Sequence, residues 1–374
     1  MSTVKSTESF AALIQVCIRK SIPFVCFRLP EQSGFQTWII ESGKIQMFEK
    51  IDEVFNKSGF VYAPFHRKTN FPVILLEPET IIHNFDMPSD LTERIELLNP
   101  LYPDFNQNPP EKTIKSVYLS QAMDFISRFD EKMIKAVLSR VEHVGIDETF
   151  NTGKFFITLQ NTYPGAFCHL IHIPGTGTWC GATPEMLLRM DQKIIRTVSL
   201  AGTRNFHQTD HSLVWEPKEL EEQNIVTNYI LDCLKKFGIS DYHIDPLQTV
   251  SAGLAVHLST TISFKKSGLQ EKLSAFIEEL HPTPAVCGLP KEDALNLILD
   301  TEIHNREYYS GYCGLLHMHN KSDLFVNLRC MKVFKDKVAL FIGGGLTKCS
   351  DPEREWEETR LKARTLSRII DELI

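Results

Sequence analysis

Short apolar runs separated by polar loop residues dominate the first hundred positions. Phe24 to Phe27, Trp38 to Ile40, Ile45 to Phe48 and Val73 to Leu76 each read as a short buried strand. They predict a β-rich first layer over residues 1–115, ending in the polar, proline-containing stretch from Asn99 to Lys115. Beyond it, Leu119, Ala122, Met123 and Ile126 make a helical stripe within Val117 to Ile126. The segment Met133 to Val144 fits either period, and a strand is preferred because Lys135, Val137, Ser139 and Val141 then share a face. Phe155 to Leu159 and Phe167 to Ile173 read as strands, with Pro174 to Gly177 turning the chain into Trp179 to Ala182. A long helix follows from about Glu219 to Phe237, then a strand near Gly253 to Ile262 and helices around Leu269 to Leu280 and Glu292 to Ile303. Strands at Phe325 to Val333 and Val338 to Ile342, a triple glycine at 343–345 and a helix from about Glu353 to Leu373 close the chain. Helices and strands mix without strict alternation, which favours an α+β class over a doubly wound parallel sheet.

Composition narrows the partners. Forty basic against 47 acidic residues give a net charge of −7, and the basic residues are scattered, so nucleic acid and anionic membranes are not expected partners. Met1 to Phe10 is polar, and no stretch approaches the roughly 18 apolar residues of a membrane span. The expectation is a cytoplasmic protein. Its nine cysteines cannot all pair and contain no Cys-x-x-Cys, consistent with reduced thiols. By length alone, 374 residues suggest two or three units.

Several positions carry candidate chemistry, each beside a blander reading. GGGLTK has neither the Walker nor the G-x-G-x-x-G spacing, which leaves a tight turn or a close backbone approach after a strand. Glu222 lies just before the inward stripe Ile225, Val226, Tyr229, Ile230 and Cys233 of its helix, so it is either a first-turn carboxylate favoured by the dipole or an inward acid kept ionised by a cation. Glu355, Glu358 and Lys362 share one face of the last helix, where a solvated i,i+4 pair is the default. Lys135 is either a base with its charge disfavoured by burial or an edge-strand lysine facing water. Arg329 is a carboxylate binder or a surface arginine, and His257 alone suggests a hydrogen-bonded core histidine.

Taken together, KAVLSR (135–140), GATPEMLLR (181–189), SLAGTR (199–204), LHPTPAVCGLP (280–290), REYYSGYCG (306–314), VNLRC (326–330) and FIGGGL followed by DPEREWEET resemble the chorismate-utilising enzymes over roughly Ser116 to Ile374. The family includes isochorismate synthases, salicylate synthases and the chorismate-binding subunits of anthranilate and aminodeoxychorismate synthases. The resemblance implies a fold of two packed β-sheets with helices outside, built as one large unit by residues 1–374, with 116–374 as the chorismate-binding region. Within the family, aminating enzymes have glutamine where this chain has Lys135, and the aminodeoxychorismate type has a lysine where it has Ala201. A base at 135 suits water as nucleophile, since ammonia needs none. Salicylate synthases share the lysine and SLAGT, but LHPTPAVCG is similar to the isochorismate synthase form. A non-catalytic chorismate-binding protein is the alternative of another class.

The roles that the resemblance implies follow residue by residue. Lys135 would be the base on water and Glu185 the acid on the leaving hydroxyl. Mg²⁺ would be held by Glu222 and Glu358, with Glu355 as a further helper. Gly202, Thr203 and His257 would lie beside the ring carboxylate, and Ala285, Tyr309, Arg329, Gly345 and Lys362 would hold or position the rest of chorismate. Lys218-Glu219 and Glu222-Gln223 stand where the family usually has Lys-Asp and Glu-His, and the segment between Arg204 and Glu216 is short. No amidotransferase region or effector motif is expected, a monomer is, and the pathway served could be menaquinone, siderophore or salicylate formation.

Overall fold

The computed structural model describes residues 2–66, 71–100, 102, 108–205, 214–252 and 255–374. The chain opens with α1 (Ser2–Arg19), then β1 (Phe24–Arg28), β2 (Gln36–Ile39), β3 (Gln46–Phe48), β4 (Gly59–Ala63), β5 (Val73–Leu76), β6 (Thr80–His83) and α2 (Leu91–Leu97). It continues through α3 (Lys115–Ser127), β7 (Lys135–Gly145), α4 (Thr152–Thr162), β8 (Phe167–Ile173), β9 (Gly177–Thr183), β10 (Met186–Met190), β11 (Ile194–Asn205) and α5 (Pro217–Lys236). The last third holds β12 (Tyr242–Ile244), β13 (Gln248–Ala252), β14 (Ala255–Lys265), α6 (Leu273–Leu280), β15 (Gly288–Leu289) and α7 (Lys291–Thr301). It ends with β16 (Tyr312–Met318), β17 (Lys321–Val326), β18 (Cys330–Val333), β19 (Lys337–Leu346) and α8 (Pro352–Leu373).

These strands form two antiparallel sheets. Among the described residues one runs β15-β7-β19-β18-β9-β8-β1-β2-β6 and the other β12-β14-β11-β10-β17-β16-β4-β5-β3, with β13 beside β14. Strands from the first hundred residues extend both sheets. Alternation along each strand builds the core on two faces at once. In β8, Phe167, Ile171 and Ile173 pack between the sheets with Trp38, Tyr62, Trp179, Phe325 and Phe341, while Cys168 and Leu170 face outward. The outer face of the first sheet is covered by α1, α4 and α8, that of the second by α5 and α6, and α3 and α7 close the end at β7. This is the α+β architecture of two packed sheets with helices outside.

Four local expectations are corrected. The polar-looking N-terminus is α1, which buries Phe10, Leu13, Ile14 and Cys17 at helical spacing. Phe155 to Leu159 is not a strand but the middle of α4, started by the Asn151 side chain accepting from the Lys154 amide and buried against α1 and the first sheet, so its apolar run reflects burial rather than a period of two. Phe325 to Val333 is two strands, because the chain leaves the second sheet after Val326 and enters the first at Cys330. The triple glycine is no turn. Gly343, Gly344 and Gly345 lie inside β19, paired with Ser139, Leu138 and Val137 of β7. The strands β4, β6, β10 to β13, β15 and β16 and the helix α2 add to those expected, and Gly253 and Leu254 lie outside the described residues. No helix among the described residues is long and apolar enough to cross a membrane.

Candidate active site

Two of the connections that carry the chain from one sheet to the other hold a candidate group. Thr183-Pro184-Glu185 links β9 to β10, and Asn327-Leu328-Arg329 links β17 to β18. Main-chain bonds bind each corner to the strand beside the other, the Val326 amide donating to the Glu185 carbonyl (2.9 Å) and the Ala182 amide to the Arg329 carbonyl (3.1 Å). Arg329 adopts φ of 48°, a left-handed conformation uncommon for a side chain of this size. The corners therefore set Glu185 and Arg329 with the precision of strand pairing rather than of a free loop.

These corners open on a cleft whose walls also include Lys135, Ala201, Gly202, Glu222, His257, Ala285, Tyr309, Gly345, Glu358 and Lys362. Residues that lie more than two hundred positions apart in the chain thus share one space. Glu355 is buried just behind that wall and accepts from the Ser350 hydroxyl at 2.9 Å. The Thr203 side chain lies outside the described residues; its backbone pairs with His257 across β11 and β14.

The glycines of β19 give the cleft its depth. A Cβ on Gly343 would come within 2.7 Å of the Tyr309 hydroxyl, and one on Gly345 would fall on Lys135 Cε, 3.0 Å from its Nζ. So the lysine crosses the cleft wall only where the neighbouring strand has no side chain. Its own side chain is 5% exposed, and Nζ lies 4.0 Å from a Glu222 carboxylate oxygen. Lys135 is an inward lysine, and the edge-strand reading does not hold.

Opposed environments separate the acids. Burial pushes Glu185 up from 4.5 to about 7, against the opposing pull of Lys135, a long hydrogen bond from the Thr283 hydroxyl (3.5 Å) and Arg329. On α8, Lys362 beside Glu358 (2.6 Å) holds that carboxyl below its ordinary value, while burial and then the Glu358 charge raise Glu355. The same ammonium donates to the Gly343 carbonyl (3.0 Å), which ties α8 to β19. This is a partly buried pair facing the cleft rather than a solvated one. His257 is pushed down to about 4, by burial and then by Arg329, so its ring is neutral. Its Nδ1 lies 2.9 Å from the Gly202 carbonyl, an acceptor only, which places the proton on Nδ1.

Three carboxylates on α5 and α8 stand near one another with an ammonium beside each: Lys135 by Glu222 (4.0 Å), Lys362 by Glu358 (2.6 Å) and Lys218 by Glu355 (3.8 Å). Glu358 also senses the charges of Lys218 and Lys135, which places the two helices' charged groups in one electrostatic neighbourhood. Oxygen donors of this kind suit a hard divalent cation such as Mg²⁺. Among the described residues no three His, Cys, Asp or Glu side chains close on one point, so such a cation would complete its shell with substrate and water. Sequence reasoning passed over Thr283 and the role of Lys218. The spacing of Lys218, four residues before Glu222 on the same helix face, was the available signal for the latter. Gln223, where a histidine is usual in the resembling family, is buried and donates to the Ser199 carbonyl (3.0 Å), so it serves packing between α5 and β11.

A cleft between two sheets thus gathers a buried lysine, a buried carboxyl raised toward neutrality and clustered carboxylates, groups able to carry out acid–base chemistry. The sequence profile of the family described as "Chorismate binding enzyme" matches residues 98–371, and the chain belongs to that family. It is 28% identical over 240 residues to isochorismate synthase EntC of Escherichia coli K12, a stretch covering 62% of this chain and 61% of that relative. It is 25% identical over 329 residues to the vibriobactin-specific isochorismate synthase of Vibrio cholerae, covering 85% of this chain and 80% of that one. The solved structure of the menaquinone-specific isochorismate synthase MenF of Escherichia coli superposes with a TM-score of 0.76 at 21% identity, over 96% of this chain and 91% of that one, and shows the same fold.

Proposed function

We propose that this chain is an isochorismate synthase, adding water at C2 of chorismate while the C4 hydroxyl leaves and the ring double bonds shift. The observation that carries the reading is the pair of Lys135 and Glu185, a buried amine and a buried carboxyl near neutrality on one cleft. Lys135 takes a proton from the attacking water, and Glu185, protonated, gives one to the departing hydroxyl. Arg329 and Lys362 supply charge for the substrate carboxylates, with Tyr309 and the bare backbone at Gly345 shaping the space for the ring. Neutral His257, Gly202 and Thr203 would lie beside the ring carboxylate, with Ala285 also lining the cleft.

Glu222 and Glu358, helped by Glu355, would hold Mg²⁺, which supplies positive charge at the ring carboxylate. The whole chain works as one unit in this reading, supported by strands of residues 1–115 lying in both sheets. Incubation with chorismate and Mg²⁺, followed by chromatography, is the test. Isochorismate accumulating toward equilibrium with substrate is the expected result. Salicylate with released pyruvate would replace the reading by a salicylate synthase, and binding without turnover by a non-catalytic chorismate-binding protein.

A further inference from the structure

Strand β7, which begins at Lys135, lacks a full neighbour on one edge. On the other edge β19 pairs with it along ten residues, but β15 supplies only Gly288 and Leu289, opposite Ala136 and Lys135. The Val137 amide still reaches the Cys287 carbonyl at 2.8 Å, and the next main-chain partner on this edge is Thr113, whose amide donates to the Val141 carbonyl (2.9 Å). Two side chains continue the ladder. Arg306 Nη2 donates to the Val137 carbonyl (2.7 Å), and Glu302 Oε1 accepts from the Ser139 amide (2.7 Å). The two side chains hold each other through Nε to Oε2 (2.8 Å) and Nη2 to Oε1 (2.6 Å), at 2% and 3% exposure. Burial alone would raise the Glu302 carboxyl, and the adjacent Arg306 outweighs it and keeps the pair ionised.

The same guanidinium reaches further. Its Nη1 donates to the Val286 carbonyl (2.8 Å), fixing the turn that presents Ala285 and Val286 to the cleft, and the Arg306 carbonyl accepts from the Tyr309 amide (2.8 Å). Its plane lies 4.4 Å from the Phe65 ring centre, so the fork cannot swing freely. Arg306 lies outside the cleft lining, yet it connects three segments of that lining.

We infer that Arg306, oriented by Glu302, is a positioning residue that sets Lys135 against the 285–286 turn and Tyr309. The inference rests on the reading of Lys135 as the base. A planar fork with fixed donors can span Val137, Val286 and Glu302 at once, whereas a lysine offers one nitrogen and cannot. In Arg306→Lys the expected result is a turnover lower by about 10- to 100-fold with KM for chorismate changed by less than about 3-fold, because displacement of a catalytic group acts mainly on the chemical step. Arg28→Lys is the matched control: that buried arginine also donates to main-chain carbonyls, of Tyr163 (2.6 Å) and Pro164 (2.7 Å), but neither of these residues belongs to the cleft lining. It should lose stability with turnover intact.

A second readout does not depend on turnover. Acylation of Lys135 in the ligand-free protein, followed by peptide mass spectrometry against the exposed Lys236, should be at least about 5-fold faster in Arg306→Lys and in Glu302→Gln than in the parent, and unchanged in Arg28→Lys. Unaltered Lys135 labelling in folded Arg306→Lys protein overturns the inference, as does wild-type turnover in that variant or a loss confined to KM. A parent protein that leaves chorismate unchanged would overturn the functional reading, while the labelling comparison would still decide whether the clamp holds Lys135.

Discussion

Replacing Glu185 by glutamine should improve the fold at neutral pH while removing activity. The carboxyl moves from 4.5 to about 7 in the folded protein because burial disfavours its charge. A folded value above the unfolded one means that the native state binds more protons between these limits, so stability is full below about 4.5 and falls as pH rises through about 7. The loss amounts to ~3 kcal/mol for an interval of this size. The function gained is on the same scale: at pH 7 an ordinary carboxyl would be protonated in ~1 molecule in 300, whereas this one is protonated in about half, some ~150-fold more. In Glu185→Gln the side chain keeps its length and an oxygen to accept from Thr283, and it carries no charge at any pH. Urea unfolding of parent and variant at pH 4.5 to 8 should therefore show the variant gaining ~3 kcal/mol relative to the parent across that range, reaching a plateau above about 7. Turnover of the variant should fall by about 10²- to 10⁴-fold, and kcat/KM of the parent should decline on the alkaline side with a midpoint near 7. A stability difference that stays flat with pH would refute the account of Glu185 as a buried, proton-holding acid.

Lys135→Ala is expected to abolish turnover while chorismate still binds, measured by calorimetry, and full activity in it would remove the base assignment. Gly345→Ala should leave thermal stability nearly unchanged, since the atoms nearest the new Cβ belong to the end of the long Lys135 side chain, but lower turnover by about 10-fold or more as that end is displaced. Chelation with EDTA should silence the enzyme and Mg²⁺ should restore it, whereas Glu222→Ala or Glu358→Ala should stay inactive at Mg²⁺ concentrations that saturate the parent.

The periodic patterns in the chain decided much of the architecture. The helices carrying Glu222 and Glu358 were legible, because a face that must be buried writes its period into the sequence, whereas the strand beginning at Lys135 is buried on both faces as far as Val141 and so fits either period. The order of the segments that resemble the family also pointed to it and to which side chains would do the chemistry. Other features were not local in origin. Phe155 and its neighbours are apolar on most sides in a helix because α1 and the first sheet cover them, and nothing in five residues says which element will arrive. Val326 to Cys330 reads as one strand because the change of sheet at Arg329 is set by what pairs on either side, not by a glycine or proline. Three glycines in β19 look like a turn until Lys135 and Tyr309 occupy the volume that their missing side chains leave. The sequence by itself determined which groups could act: a lysine, an acid, two helix carboxylates and an arginine. Only the tertiary structure decided that burial raises Glu185, that Lys362 lowers Glu358 and that Arg306 finishes an incomplete strand edge. Desolvation, charge and edge pairing depend on neighbours brought from far along the chain, and that information exists only once the sheets have closed on each other.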